Sequence, residues 1–214
     1  MPRPSRRSDV LEAASARFFR EGITATGVDA IVDDAGVAKM TLYRHFPSKD
    51  DLVVAYLSER DAAFRERLEG ELAGRRDPWQ RALAPADLYR AAAEEPGFHG
   101  CAFVNAGAEL AEDHPGRGVI AAHKRWVVDR WAALLAELGV ADPGALAEEC
   151  ALLAEGGLVQ AGVGLGAECL DAAREGIAER LGAAVDRAAR APAGHDTDGR
   201  QRARGGSGTQ DEGA

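Results

Sequence analysis

Apolar positions recur with helical spacing along most of the chain, and few segments alternate with a period of two. Between Ser8 and Glu21 the residues Val10, Leu11, Ala14, Phe18 and Phe19 fall on one stripe, and Gly22 supplies a stop. After the loop ITATG, Val28, Ile31, Val32 and Ala35 share a face of a short helix over 28–35, with Asp29, Asp33 and Asp34 turned away. Gly36 then allows a sharp change of direction. A third helix is predicted over 39–46. With about 100° per residue, Phe46 returns close to Leu42, Met40, Thr41, Tyr43 and Arg44 spread over the opposite side, and His45 sits on the flank. Leu42 and Phe46 therefore anchor this helix, and the other side chains point outward. Pro47 ends it. Ser48, with Asp51 three residues on, comes close to a capping box for a fourth helix over 49–72.

The same pattern predicts further helices near 78–94, 103–113, 116–138, 143–164 and 167–190. Pro78, Pro96-Gly97, Pro115-Gly116, Pro143-Gly144, Gly164 and Gly166 punctuate them. Residues 191–214 carry almost no large apolar side chain. They cannot bury enough surface to offset the entropy of ordering, so they read as a disordered tail.

Composition points the same way. Ala is abundant, Val and Ile are sparse, and 46% of the residues are hydrophobic, which favours an all-α protein. No apolar run reaches the ~18 residues of a membrane span. The basic N-terminus is followed by no apolar segment, so no secretory signal is expected. Cys101, Cys150 and Cys169 are odd in number and widely spaced, which argues against a disulfide framework and fits a reducing cytoplasm. No His or Cys cluster has metal-ligand spacing, so neither a metal nor a cofactor is expected.

Taken alone, the formal net charge of −9 argues against a nucleic-acid partner, but it is unevenly distributed. Residues 1–49 carry eight Lys/Arg against six Asp/Glu, a net +2, and the remainder of the chain is acidic. The local field decides what a surface attracts. Two short helices about a tight turn, the second with an exposed polar face, form a helix-turn-helix, whose second helix fits the major groove of DNA. Lys39, Met40, Thr41, Tyr43 and Arg44 can reach bases or phosphates from this helix, and His45 from its flank. Lys49 adds its charge to the N-terminal amides of the fourth helix, and Thr26 can meet a phosphate ahead of the second.

The run TATGVDAIVDDAGVAKMTLYRHFPSKDDL resembles the N-terminal signature of the TetR family of transcriptional regulators. Thr26, Val28, Ile31, Ala35, Gly36, Val37, Thr41, Leu42, Tyr43, Phe46, Ser48, Lys49 and Leu52 match in order and spacing, within a resemblance covering about residues 8–60. Three positions depart. Val32 stands where Ala is usual, Ala38 replaces a Ser that caps the recognition helix, and Met40 replaces a frequent Gly. The resemblance implies a DNA-binding domain over 1–48 and a helical ligand-binding and dimerisation domain over 49–190. It also implies a homodimer formed through the last two long helices. That dimer would repress from a palindromic double-stranded operator and be released by a small-molecule effector.

The body says less. The run at 100–127 resembles one branch of these regulators that carries a G-C-x-F-x-N-A-x-x-E segment. Trp79, Phe98, Phe103, Asn105, Glu109, His123 and Trp126 are candidates for a mostly apolar effector pocket with a few polar handles. Cys101 reads as a small buried residue rather than a sensor. The Ala- and Gly-rich end of the chain, with LLAEGGLVQAGVGLG, suits close helix packing at a subunit interface. An enzyme would need a nucleophile-base pair, paired carboxylates, a metal set or a phosphate cradle, and none has recognisable spacing. A helical protein-interaction module or an activator, with lost or altered operator binding, is the alternative that Ala38, Met40 and the acidic second helix leave open.

Overall fold

The computed structural model describes residues 6–190, and the tail expected over 191–214 lies outside them. The described residues form an all-α fold: α1 (Arg6–Glu21), α2 (Val28–Ala35), α3 (Lys39–His45), α4 (Lys49–Gly74), α5 (Pro78–Ala93), α6 (Ala102–Glu109), α7 (Gly116–Glu137), α8 (Pro143–Gln160) and α9 (Glu168–Arg190). None of these helices is long and apolar enough to cross a membrane.

Local chemistry explains most of the helix boundaries. Gly36 adopts φ +60°, a left-handed conformation open to glycine at little cost, and closes α2. At the start of α4, Asp51 N–H donates to Ser48 Oγ at 3.0 Å and Ser48 N–H donates to Asp51 Oδ2 at 3.0 Å, so the capping box is complete. Helices α5 and α8 both open with Asp-Pro. The aspartate accepts an orphan amide, and proline takes a position where its missing N–H is not needed.

Two boundaries differ from expectation. Helix α6 stops at Glu109 rather than continuing to 113. There the Arg117 guanidinium donates to the carbonyls of Gly107, Leu110 and Ala111, satisfying acceptors that another helical turn would have used. Helix α8 ends at Gln160, and residues 161–165 form a π turn in which Gly164 adopts φ +92°, outside the helical region.

Two hydrophobic clusters fill the described residues, a small one at Leu68, Leu72, Ala84, Leu88 and Leu134 and a large one that runs from the first helices to the last. The large cluster begins at Val10, Leu11, Ile31 and Leu42 in α1–α3, passes Leu52, Tyr56 and Leu57 of α4, and reaches Trp131, Cys150, Ile177 and Leu181. The Phe18 and Tyr56 rings meet edge to face, with centroids 5.6 Å apart, where α1 joins α4. Fully buried Trp131 donates its indole N–H to the Ala82 carbonyl at 2.9 Å. Helix α8 packs between α7 and α9, and α5 lies on α9.

The glycines near the end of α8 make contacts within the chain. A Cβ on Gly157 would lie 2.9 Å from the Cys169 carbonyl, and one on Gly162 would lie 2.7 Å from the Gly100 Cα. The close approach read from LLAEGGLVQAGVGLG is therefore used inside the subunit at these two positions. The outer face of α8 is different. Leu152 (74% exposed) and the partly exposed Val159 lie on it, and Val163 (73%) of the following π turn is exposed beyond them.

Candidate functional site

Helix α3 is pinned as its spacing predicts. Leu42 and Phe46 are buried, and each such side chain contributes about 1.5–3 kcal/mol relative to exposure. On the far side, Met40 is 78% exposed and Tyr43 38%. Met40, Thr41, Tyr43 and Arg44 together line one open concavity. Ala38 precedes α3 without a side-chain cap, and only backbone groups close that end. The exposed face is thus an adaptable thioether, a hydroxyl, a phenol and a guanidinium on a helix that the core holds still.

The cations around this face are held differently. Lys39 Nζ lies 2.7 Å from Asp29 Oδ1 in α2, and this bond, with the attraction of the carboxylate, pushes the Lys39 ammonium pKa up. Among the described residues, neither Arg44 nor Lys49 makes an ion pair. His45 is half-buried with an unpartnered Nε2. The Arg7 guanidinium, which sequence reasoning missed, lies 4.9 Å from the Phe46 ring centroid and brings another cation to the end of α3. The N-terminal amides of α4 are less open to an anion than expected, because Ser48 and Asp51 already cap them.

Thr26 requires a correction. It is 1% exposed and its hydroxyl donates to the Gly22 carbonyl at 2.7 Å, so its side chain closes the end of α1 instead of facing outward. The cause is the tight return of the chain after Gly22, which brings that orphan carbonyl within reach of residue 26.

A cavity of about 390 Å³ lies behind this head, bounded by α1, α4, α5 and the segment 95–103. It falls at the small end of the ~300–1,000 Å³ usual for small-molecule sites. Of the residues expected there, Phe98, Phe103 and His123 line it. The other four do not. Trp79 packs beside Gly182 of α9. Trp126 lies under the Arg65 guanidinium at 4.4 Å and meets the edge of Phe64. Asn105 donates to the His99 carbonyl at 2.8 Å and so orders the segment that forms the cavity wall. Glu109 accepts the Ile23 N–H at 3.1 Å and the Thr24 N–H at 2.6 Å, strapping the end of α6 to the loop between α1 and α2. Gly22 makes room for that carboxylate: it adopts φ +91°, and a Cβ there would lie 2.9 Å from Glu109 Oε1.

Sequence reasoning missed Phe19, Arg20, Arg60, Phe64, Arg67 and Tyr89, all of which line the cavity. One signal was available. Phe18 and Phe19 are adjacent, so both cannot sit at the centre of one helical stripe. Phe18 is buried, and Phe19 is half-buried at the cavity under the Arg60 guanidinium, 4.6 Å away.

The cavity floor is buried and internally neutralised. The His123 ring stacks on Phe103 at 3.7 Å, and its Nδ1 lies 2.8 Å from Asp61 Oδ1, where Nδ1–H donates to the carboxylate. Burial pushes the His123 pKa down, against the pull of Asp61, so the ring is neutral near pH 7. Burial also pushes the Cys101 thiol up, with Lys124 opposing it, and Lys124 is itself bonded to Glu155. Tyr56, under Arg60, is pushed up to about 12 by burial. Among the described residues no group of three or more His, Cys, Asp or Glu is placed to hold a metal ion.

A three-helix head with a pinned, outward-facing second helix of a helix-turn-helix, joined to a helical body, defines the class of helix-turn-helix DNA-binding regulators. Residues 10–56 match the family described as bacterial regulatory proteins, tetR family. Over 57 residues the chain is 49% identical to the HTH-type transcriptional activator FasR of Mycolicibacterium smegmatis, covering 27% of this chain and 26% of that one. Over 49 residues it is 47% identical to the HTH-type transcriptional repressor KstR2 of Mycobacterium tuberculosis, covering 23% and 24%. The chain thus spans about a quarter of the length of these curated relatives. Among solved structures, it aligns with SCO4454, a TetR-family transcriptional regulator from Streptomyces coelicolor. The TM-score is 0.77 and the identity 32%, over 82% of this chain and 95% of that one. A TetR-type regulator from Streptomyces avermitilis, sav143, aligns with TM-score 0.73 and 32% identity, over 86% and 99%. The chain belongs to the TetR family of DNA-binding transcriptional regulators.

Proposed function

We propose that this protein is a cytoplasmic homodimeric repressor that binds a palindromic operator and leaves it when a small molecule enters the cavity behind the head. The observation that carries the DNA reading is the division of α3. Leu42 and Phe46 are buried, while Met40, Thr41, Tyr43 and Arg44 share one open face. In this reading those four read the major groove, and Lys39, His45 and Lys49 meet the backbone. Thr26 acts only by holding the loop. The head is α1–α3, the body is α4–α9, and the subunits meet through α8 and α9, where Leu152, Val159 and Val163 would be covered. A symmetric dimer reads half-sites about one helical turn apart, or a multiple of it, so a change in head separation breaks register.

The proposed route of control is short. The cavity is walled by Ala16, Phe19 and Arg20 of α1, so its occupant touches the head directly. The Glu109 strap ties the body to the loop that leads into α2. Occupancy that displaces α1 or α6 is therefore felt at α3, and the coupling is reciprocal between ligand and DNA.

Fluorescence-anisotropy titration of DNA flanking its own gene, with unrelated DNA as competitor, tests this reading. Specific binding is expected, and Lys49→Ala should lower the salt slope by about one. A folded dimer that shows no preference for any flanking segment overturns the operator reading in favour of a protein-interaction module.

A further inference from the structure

Charge in the cavity varies with depth, and that gradient selects a ligand. The floor is formed by Leu88, Tyr89, Phe103 and Leu158, with neutral His123. The charged groups nearest this floor are matched: Asp61 by Arg65 and His123, and Lys124 by Glu155. The mouth differs. Arg20, Arg60 and Arg67 line it with a single carboxylate, Glu95. Arg67 already holds Glu95 at 2.9 Å, and Arg20 meets Glu21 at 3.4 Å. Among the described residues Arg60 makes no ion pair. Its guanidinium lies over Phe19 at 4.6 Å and beside Tyr56 at 5.7 Å. The guanidinium turns toward the Tyr56 hydroxyl but has five N–H donors, and those left over, oriented by the rings, suit a planar or tetrahedral oxyanion.

We infer that this cavity takes an amphipathic ligand with one anionic head, the head on Arg60 and the apolar body on the Tyr89 and Phe103 floor. The inference rests on reading the cavity as the effector site. A neutral apolar occupant would cover Arg60 without supplying an acceptor, which costs desolvation, and a cationic head would meet three guanidiniums. Arg60 of α4 also stacks on Phe19 of α1, so an anion that draws the guanidinium away loosens the contact between head and body. A carboxylate and a phosphate monoester share this chemistry, and the test separates them.

Isothermal titration of the full chain with decanoate, decyl phosphate, decanol and decyltrimethylammonium reads the head-group preference directly. At least one anion should bind about tenfold or more tighter than decanol, and the cation should not bind measurably. The tighter of the two anions identifies the head. Arg60→Gln should abolish the anion's advantage while leaving decanol affinity unchanged, and Arg60→Lys should retain part of it, with circular dichroism melts verifying the fold. The inference is overturned if decanol matches both anions, if the cation binds, if no probe binds, or if Arg60→Gln weakens every probe alike. The same ligands are added to the protein–DNA complex. Anion binding without DNA release would leave the ligand class standing and sink the effector reading.

Discussion

The outward end of α3 and the helix seams of the body handle positive charge differently. On the body, Arg75 meets Asp87 at 2.6 Å, Arg81 meets Glu137 at 2.8 Å, Arg90 meets Asp171 at 2.7 Å and Arg130 meets Glu69 at 2.7 Å. On α3 and at the start of α4, Arg44 and Lys49 meet no carboxylate among the described residues. Exposed ion pairs contribute only about 0–1 kcal/mol, so pairing on the body does little for stability. It does cancel the local field. The head keeps a net +2 over residues 1–49 within a chain of −9, and its uncancelled cations lie beside the side chains of the open α3 face. A donor left unmatched beside a concave surface is the common feature of the head face and of Arg60 at the cavity.

The sharpest way to break this comparison is to unpin α3. Leu42→Ala should cost about 2–5 kcal/mol in urea unfolding because it opens a void at a fully buried site, and Met40→Ala, one turn face away, should change stability by less than about 0.5 kcal/mol. Equal losses would mean that α3 is not divided into an inner and an outer face. Next is the strap between the two regions. Glu109→Gln should cost about 1–2 kcal/mol, because two backbone amides lose a charged acceptor, and should shrink the effect of ligand on DNA affinity. Full retention of that coupling would remove the strap from the control route.

The third prediction concerns His123. Its pKa is lowered by burial in the fold, so the unfolded chain binds the proton more readily. The stability that this neutral ring supports is present above the ordinary histidine pKa of about 6.5 and declines as pH falls below it, with a slope of at most ~1.4 kcal/mol per pH unit. Denaturation midpoints measured between pH 7 and pH 5 should fall in the wild type and flatten in His123→Gln. The smallest effect belongs to the missing cap. Ala38→Ser should stabilise the head by about 0.5–1 kcal/mol, detectable as a rise in urea midpoint.

Most of the head was legible because its determinants are local. The spacing of Leu42 and Phe46, the turn at Gly36 and the reciprocal Ser48–Asp51 cap all act within a few residues. Helix order along the body followed from periodicity and Asp-Pro or Gly punctuation for the same reason. Thr26 was misread because its hydroxyl answers to a carbonyl at the end of another helix. The cavity was only partly legible. Phe98, Phe103 and His123 lie in or near the run that drew attention, but Phe19 and Arg60 come from helices about 40 residues apart in the chain, and only packing of α1 on α4 joins them.

By itself the sequence determined which segments are helices, which side of α3 turns outward and which family the head matches, since backbone propensity, capping and a 3.6-residue period operate at short range. Tertiary packing decided where each polar group found its partner. It turned Glu109 into a strap between α6 and the head, used Gly157 and Gly162 for contacts within the subunit, and left Arg60 against aromatic rings at the mouth of a cavity. The physical reason is that a buried or half-buried charge takes its role from whatever group lies within a few ångströms, and that neighbour is set by how helices distant in the chain come together.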